Sequence, residues 1–282
     1  ELKLRAGWGM NGHQEGIGNY DYMKRYYKNP VTGDLTLVNF ANPSLTWEKT
    51  TSVNIGLDIT FLDSRIAVTA DWYRKKTKDV LVRMPIPNTS GLDYISLNVG
   101  DMENRGFEFN ISTQNIKGKS WNWNTDFNMG FNRNKVLNLG DDPNVQIPSG
   151  DIYQRGNASL VKAGYPLGSF YGYVATGIDP QTGNVQYEDR DKNGEINPGD
   201  RTFIGNAQPD FIYGMTNTVS FKNIDLSVFF QGSQGNSLFN GARIETEGMY
   251  DSRNQTTVTL NRWQNPGNIT DVPRAIRNDV AN

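Results

Sequence analysis

The chain has 282 residues, no cysteine and one histidine, with 28 Lys and Arg set against 30 Asp and Glu for a formal net charge of −2. Balanced, scattered charge excludes the basic footprint of a nucleic-acid binder, and the missing thiols exclude disulfides, thiolate metal sites and cysteine nucleophiles. No run approaches the roughly 20 apolar residues of a membrane-spanning helix, and the chain does not open on a charged-then-apolar signal peptide.

The first element is legible at once, because Leu2, Leu4, Ala6, Trp8 and Met10 alternate with Lys3, Arg5, Gly7 and Gly9. Successive strand side chains point to opposite faces, so such a run has one apolar and one polar side. The segment Asn11 to Gly16 reads as a loop, and its His13 as a solvated side chain without the partners of a catalytic triad. From Ser52 to Phe61 the alternation is complete, with Val53, Ile55, Leu57, Ile59 and Phe61 against Ser52, Asn54, Gly56, Asp58 and Thr60. A third strand carries Ile66, Val68, Ala70 and Trp72, and a fourth carries Phe107, Phe109 and Ile111. The fifth sets Trp121, Trp123, Phe127, Met129 and Phe131 against Asn122, Asn124, Asp126, Asn128 and Asn132. Asn and Asp are poor strand formers in a dry sheet but acceptable where they look into water. Phe211, Tyr213, Met215, Val219 and Phe221 form a sixth strand, and Ile224, Leu226, Val228 and Phe230 a seventh, in which Phe229 interrupts the polar side.

Seven strands of about ten residues each have the length that crosses a bilayer when tilted by about 45°. Their connections alternate. Leu62 to Ser64, Asn115 to Ser120 and Lys222-Asn223 are short, whereas residues 11–49, 75–104 and 133–210 are long. Tight periplasmic turns and long outer loops have this rhythm in outer-membrane barrels. Phe61, Trp121 and Phe221 flank the short turns, while Trp8, Trp72 and Tyr73 approach the long loops, as two interfacial aromatic girdles would require. The expected fold is therefore all-β, an antiparallel transmembrane β-barrel segment. Seven strands do not close an even-numbered barrel, and the polar stretch Arg274 to Asn282 does not resemble a final barrel strand. Residues 1–282 are accordingly expected to be part of one barrel domain lacking its plug and terminal strands, with 133–210 as a long extracellular loop region.

With the strands placed, the sequence resembles the SusC/RagA family of TonB-dependent outer-membrane transporters of Bacteroidetes-type bacteria. The resemblance is carried by Asn42-Pro43-Ser44-Leu45-Thr46-Trp47-Glu48-Lys49-Thr50-Thr51 running into Asn54-Ile55-Gly56-Leu57-Asp58, and by Tyr73-Arg74-Lys75-Lys76-Thr77-Lys78-Asp79. Asn98-Val99-Gly100, Glu103-Asn104-Arg105-Gly106-Phe107-Glu108, Asn132-Arg133-Asn134-Lys135-Val136 and Gly164-Tyr165-Pro166-Leu167-Gly168-Ser169-Phe170-Tyr171-Gly172-Tyr173 follow in the family's order. The resemblance implies an outer-membrane location among outer-membrane lipids and import of oligosaccharides, other glycans or peptides. It also implies energy supplied by TonB and a SusD-like surface lipoprotein as partner, and no enzymatic activity. The competing reading is a soluble secreted β-sandwich that binds glycans beside a calcium loop.

One motif has metal-site spacing. In Asp189-Arg190-Asp191-Lys192-Asn193-Gly194-Glu195-Ile196-Asn197-Pro198-Gly199-Asp200, side-chain oxygens fall at Asp189, Asp191, Asn193, Asn197 and Asp200. Glu195 offers a backbone carbonyl and Gly194 the sharp turn, so the loop is expected to hold a structural Ca²⁺. Asp200 stands where a bidentate Glu is usual, and Pro198-Gly199 replaces the start of an exiting helix; an Asx-rich turn without metal is the plainer alternative. Tyr20, Tyr22, Tyr26 and Tyr27, with Tyr165, Phe170, Tyr171 and Tyr173, offer either an aromatic binding platform or loop packing. Asp141-Asp142 and the pair Glu245 and Glu247 have no acid/base context, so no catalytic residue is assigned.

Overall fold

The computed structural model describes residues 1–15, 18–152 and 155–276. Gly16, in the expected first loop, and residues 277–282 of the polar C-terminal stretch lie outside them. The seven expected strands are present: β1 Leu2–His13, β2 Glu48–Phe61, β3 Ile66–Pro85, β4 Tyr94–Lys117, β5 Trp121–Leu139, β6 Phe211–Phe221 and β7 Ile224–Gln234. They form one antiparallel sheet in chain order, each hydrogen-bonded to the next. Within the chain β1 and β7 are its edges, so the sheet is a segment of barrel wall and not a closed barrel.

The register places the apolar sets side by side. Leu4 pairs with Leu57, Leu57 with Ala70, Ala70 with Phe109, Phe109 with Met129 and Met129 with Tyr213. Directly opposed residues in an antiparallel ladder share a face, so between its aromatic rows one side of the sheet is a broad apolar band. That side is not covered by protein: Leu4 is 75% exposed, Ile55 48% and Phe107 41%. A sandwich would bury these side chains against a second sheet, and the soluble sandwich reading therefore fails. The buried large hydrophobic side chains are few, namely Val136, Leu139, Leu160 and Met249 among the described residues. Hydrocarbon supplies the missing packing partner.

Four expectations need correction. The strands are longer than ten residues, reaching 20 in β3 and 24 in β4. At about 3.3 Å per residue β3 runs for about 65 Å, far beyond an apolar band about 25 Å tall. The expected 75–104 loop shrinks to residues 86–93, because β3 and β4 stay paired as far as Pro85 and Tyr94 across a bulge at Thr77–Val80. Past the aromatic row Val80, Leu81 and Val82 follow one another and line an apolar hollow with Val136, Leu139 and Leu167, so the ladder continues without any alternation to betray it. His13 ends β1 opposite Glu48 and is a strand residue, not a loop one. Tyr73 leaves the expected girdle: it stands one residue past outward-facing Trp72 and so points to the polar side, where its hydroxyl donates to Asn132 Oδ1 at 3.0 Å. The two girdles are otherwise visible, with Trp121 against Phe221 (ring centroids 4.5 Å) at the short-turn end and Phe131 against Phe211 (5.9 Å) at the other.

The apolar side has one polar inclusion. Thr113, Thr125 and Asn217 share the face of Phe127 and Met215, yet they hydrogen-bond one another. The Thr125 hydroxyl donates to Asn217 Oδ1 at 2.7 Å, Asn115 donates to Thr125 Oγ1 at 2.7 Å, and the Trp123 indole donates to Asn217 Oδ1 at 3.1 Å. Paired internally, these groups avoid the several kcal/mol that each would cost unsatisfied in hydrocarbon.

By contacts the chain divides into two compact units. The first comprises residues 1–147, 161–167 and 208–236 and holds the seven-stranded sheet; the second comprises 148–160, 168–207 and 237–282. The second contains short strands at Ser169–Gly172 and Thr202–Asn206, which pair antiparallel, a ribbon of Ala175–Ile178 with Val185–Tyr187, and a short helix, Ala242–Glu247.

Phe109 lies midway along the apolar side of β4, so Phe109→Lys is expected to cost about 2–4 kcal/mol of stability in lipid vesicles. Asn110→Lys, one residue on and facing the lumen, is expected to stay within about 0.5 kcal/mol. Urea unfolding midpoints of the two variants measure the difference.

Candidate functional site

The polar side of the sheet is a continuous hydrogen-bonded surface. Arg5 lies across Gly56 from Asp71 and binds both Asp58 (2.8 Å) and Asp71 (2.9 Å), with Thr69 donating to Asp58 at 3.1 Å. Gly56 leaves room for this ion pair: a Cβ there would occupy the space of the Asp71 carboxylate and the Arg5 guanidinium and push them aside. Further along, Asn132 and Asn134 donate to Asn104 Oδ1 at 3.4 and 2.9 Å. Arg5, Asn54, Asp71, Tyr73, Lys75, Asn104, Glu108 and Asn132 line a hollow of about 560 Å³ on this side. Its mixed donors and acceptors can hold water or a polar solute against the wall; they include no nucleophile and base arranged for catalysis.

The phrases that carry the family resemblance meet above this hollow. Asn98 donates to the Thr46 carbonyl and accepts from the Thr46 N–H, both at 2.8 Å, and so pins the segment entering β2 onto β4. Arg74 places Nε and Nη2 on one oxygen of the buried Glu103, at 2.8 and 2.6 Å. Asn104 faces Asn134, Arg105 faces Arg133 and Gly106 faces Asn132. Gly106 leaves room for the Tyr73 ring to cross the sheet, and a Cβ there would strike that ring and the Phe131 carbonyl. Asn134 Oδ1 accepts from the Leu167 N–H at 2.8 Å, while Val136 exchanges backbone hydrogen bonds with Gly164 and Tyr165. Phrases distant in sequence are therefore one contact network. The separate motifs signalled it; only the register shows that they touch.

In the second unit the Asp-rich loop gathers three of the six expected residues. Carboxylate oxygens of Asp189, Asp191 and Asp200 lie within 4.8 Å of one another. Asp200 is fully buried, and its carboxylate accepts from the backbone N–H groups of Asn197 (2.8 Å), Arg190 (2.8 Å) and Asp191 (3.4 Å). These donors, the Asn197 amide first, hold its pKa below the usual carboxylate value against the opposing effect of burial. Asn193 and Asn197 stand beside the cluster but turn their amide nitrogens to Asp191, while their oxygens take the N–H groups of Glu195 and Gly199. Glu195 is not drawn into the carboxylate group. Pro198–Asp200 forms a single 3₁₀ turn capped by Asn197, where the sequence suggested no helix start.

The aromatic residues divide between the units. Tyr20, Tyr22, Tyr26 and Tyr27 are exposed in the first. In the second, Tyr171 packs on Phe203 (5.2 Å), Tyr173 on Tyr187 (5.5 Å) and Phe170 on Phe239 (6.2 Å), as loop-packing residues do. The paired carboxylates are also engaged: Asp142 accepts from the Asn144 N–H, Glu245 meets Arg155 and Arg253, and Glu247 meets Arg243.

Gly106→Val is expected to displace Tyr73 from Asn132 and to destabilise the wall by about 1–3 kcal/mol through overpacking. Tyr73→Phe, which loses one hydrogen bond, is expected to cost about 1 kcal/mol. Urea titration of both variants checks the order.

Comparison with known proteins joins this geometry to a family. Residues 1–231 match the family described as TonB dependent receptor-like, beta-barrel. TonB-dependent receptor P3 of Formosa agariphila is 34% identical across 96% of the chain, which spans 29% of that protein. TonB-dependent receptor SusC of Bacteroides thetaiotaomicron is 33% identical across 89% of the chain and 27% of its own length. Among solved structures, the RagAB peptide transporter superposes with a TM-score of 0.86 at 27% identity, covering 97% of this chain and 31% of that one. The chain thus spans about three-tenths of the relatives it matches. That family is one of transporters, and the matched region is its wall. The chain belongs to the SusC/RagA family of TonB-dependent transporters and forms part of its β-barrel.

Proposed function

We propose that the chain is part of the wall of an outer-membrane importer of large nutrients, oligosaccharides or peptides, driven through TonB and served by a SusD-like lipoprotein. The single observation that carries this reading is the two-sided ladder, apolar and uncovered on one face and hydrogen-bonded polar on the other. Such a wall separates hydrocarbon from a wet passage. The similarity to the TonB-dependent receptor SusC supports coupling to TonB, and that to the RagAB peptide transporter supports peptide as a cargo and a two-protein assembly. Catalysis has no place in the proposal, since the paired carboxylates serve ion pairs and turns. In cells of the native bacterium, removal of the protein is expected to abolish accumulation of a labelled oligosaccharide or peptide pool. An uncoupler of the proton gradient is expected to have the same effect. Unchanged, energy-independent accumulation in both arms would contradict the reading.

The Asp-rich loop belongs to the same proposal as a structural Ca²⁺ site. Three gathered carboxylates suit a hard cation that takes six to eight oxygens. A half-turn of the Asn193 and Asn197 amides would add side-chain oxygens, and Glu195 would add its backbone carbonyl. Bound Ca²⁺ would neutralise the clustered charge and tie together the two ends of the loop. Millimolar Ca²⁺, the range of weak extracellular sites, is expected to suppress proteolysis between residues 185 and 205. Chelation is expected to restore cleavage, and Asp191→Asn to abolish the protection. Cleavage indifferent to Ca²⁺ would remove the metal from the account.

A further inference from the structure

The outward face of the sheet carries a second feature just beyond its aromatic row. Trp72, Phe107 and Phe131 stand abreast on β3, β4 and β5, and two residues further toward the long loops Arg74, Arg105 and Arg133 stand abreast in the same way. Two residues along a strand is about 7 Å. Side chains at this level leave hydrocarbon and enter the headgroup layer, whose depth the aromatic row marks. Like charges directly opposite one another destabilise a ladder, so three arginines in register need countercharge.

The protein supplies only part of it. Arg74 is matched by Glu103 at 2.6 Å and Arg133 by Asp210 at 2.9 Å. In the rows above, Lys49 reaches Asp79 at 3.1 Å and Lys76 lies 3.9 Å from Asp101. Arg105, the middle arginine, has no carboxylate or hydrogen-bond partner among the described residues, and neither do Lys78 and Lys135 on the same outward face. All three are exposed. At the opposite end of the strands Arg65, Lys119 and Lys222 sit in the turns and Lys117 ends β4 opposite Asn122, and no three of them stand abreast.

We infer that this outward basic row binds the phosphate groups of lipids in the outer leaflet, with Arg105 as its centre. A guanidinium offers phosphate a planar pair of N–H donors, and the flanking Arg74 and Arg133 hold that donor at headgroup depth between two neutralised neighbours. The occupant is a phosphorylated membrane lipid, because the site is continuous with the face that acyl chains cover and because its surplus charge is positive. The inference requires the membrane orientation of the sheet and is independent of the cargo.

The test uses the intact protein purified from outer membranes, with lipid A and phosphatase-treated lipid A as the two probes, titrated by native mass spectrometry in mild detergent. Each basic residue near an anionic surface contributes about 1 kcal/mol, or roughly fivefold in binding. Arg105→Gln is expected to weaken lipid A binding about fivefold, and the triple variant R105Q/K135Q/K78Q by on the order of 100-fold, both keeping the heat-dependent gel mobility of a folded barrel. None of these changes strands a carboxylate. Lys119→Gln is expected to have no effect, and the phosphatase-treated lipid to bind the unaltered protein as weakly as lipid A binds the triple variant. Equal binding of the two lipids by the unaltered protein would overturn the inference even if a variant failed to fold. So would displacement of lipid A by inorganic phosphate at similar concentration, which would indicate a free-anion site. Loss of an oligomer with lipid binding intact would assign the row to a second copy of the chain.

Discussion

Hydrocarbon offers no hydrogen-bond partner, so a strand that crosses it must find every backbone donor and acceptor a mate on a neighbouring strand. That constraint governs the seven-stranded ladder. It forces long antiparallel pairing in chain order, with turns of four, three and two residues joining β2 to β3, β4 to β5 and β6 to β7. It leaves the side chains free to differ by face, apolar toward lipid and polar toward the passage, because the backbone is already satisfied. It also explains the inclusion at Thr113, Thr125 and Asn217, where polar side chains on the lipid side repeat the solution of the backbone and pair among themselves. In a closed barrel the outer edges of β1 and β7 obey the same rule by pairing with further strands.

How much of this was legible in the sequence depended on what each stretch of strand touches. Where one face meets lipid and the other water, as from Val53 to Phe61, the two environments select opposite chemistries and the period of two is unmistakable. Where the strand leaves that two-sided environment, as from Lys75 to Pro85, the largely charged Lys75 to Asp79 and the apolar Val80 to Val82 come in runs, the latter lining a hollow with Val136 and Leu139, and the strand becomes invisible to a period of two though its hydrogen bonds persist. The ends of β3, β4 and β5 were therefore misplaced, and β6, which lies almost wholly within the band, was not. Tyr73 was assigned to the wrong side by its ring chemistry, where parity with Trp72 would have placed it correctly.

The candidate site was legible only in pieces. Asn98, Asn104, Gly106, Asn132 and Asn134 each marked a family phrase, but nothing local says that Asn98 grips Thr46 or that Gly106 makes space for Tyr73. Those contacts depend on register, which is a property of strand pairs. The Asp-rich loop is the opposite case. Its first turn is made by neighbours two to five residues apart, and Asp200 closes back on the Arg190 and Asp191 N–H groups nine and ten residues away, all within the twelve-residue phrase that marked Asp189, Asp191 and Asp200. The side-chain direction of Asn193, Asn197 and Glu195 lay beyond what spacing determines. The outward arginine row was missed for the same reason as the phrase network, since three arginines on three strands become a row only when the strands are aligned.

The chain has no cysteine, so single cysteines can report which face of the sheet meets lipid. Single spin labels at positions 57, 109 and 127, and at 58, 110 and 126, can be read in lipid vesicles for collision with oxygen, which concentrates in hydrocarbon, and with a water-soluble nickel chelate. Oxygen-dominated relaxation is expected at Leu57, Phe109 and Phe127, and nickel-dominated relaxation at Asp58, Asn110 and Asp126. The same collision profile at both sets, or the inverse assignment, would contradict a sheet with one face in lipid and the other in water.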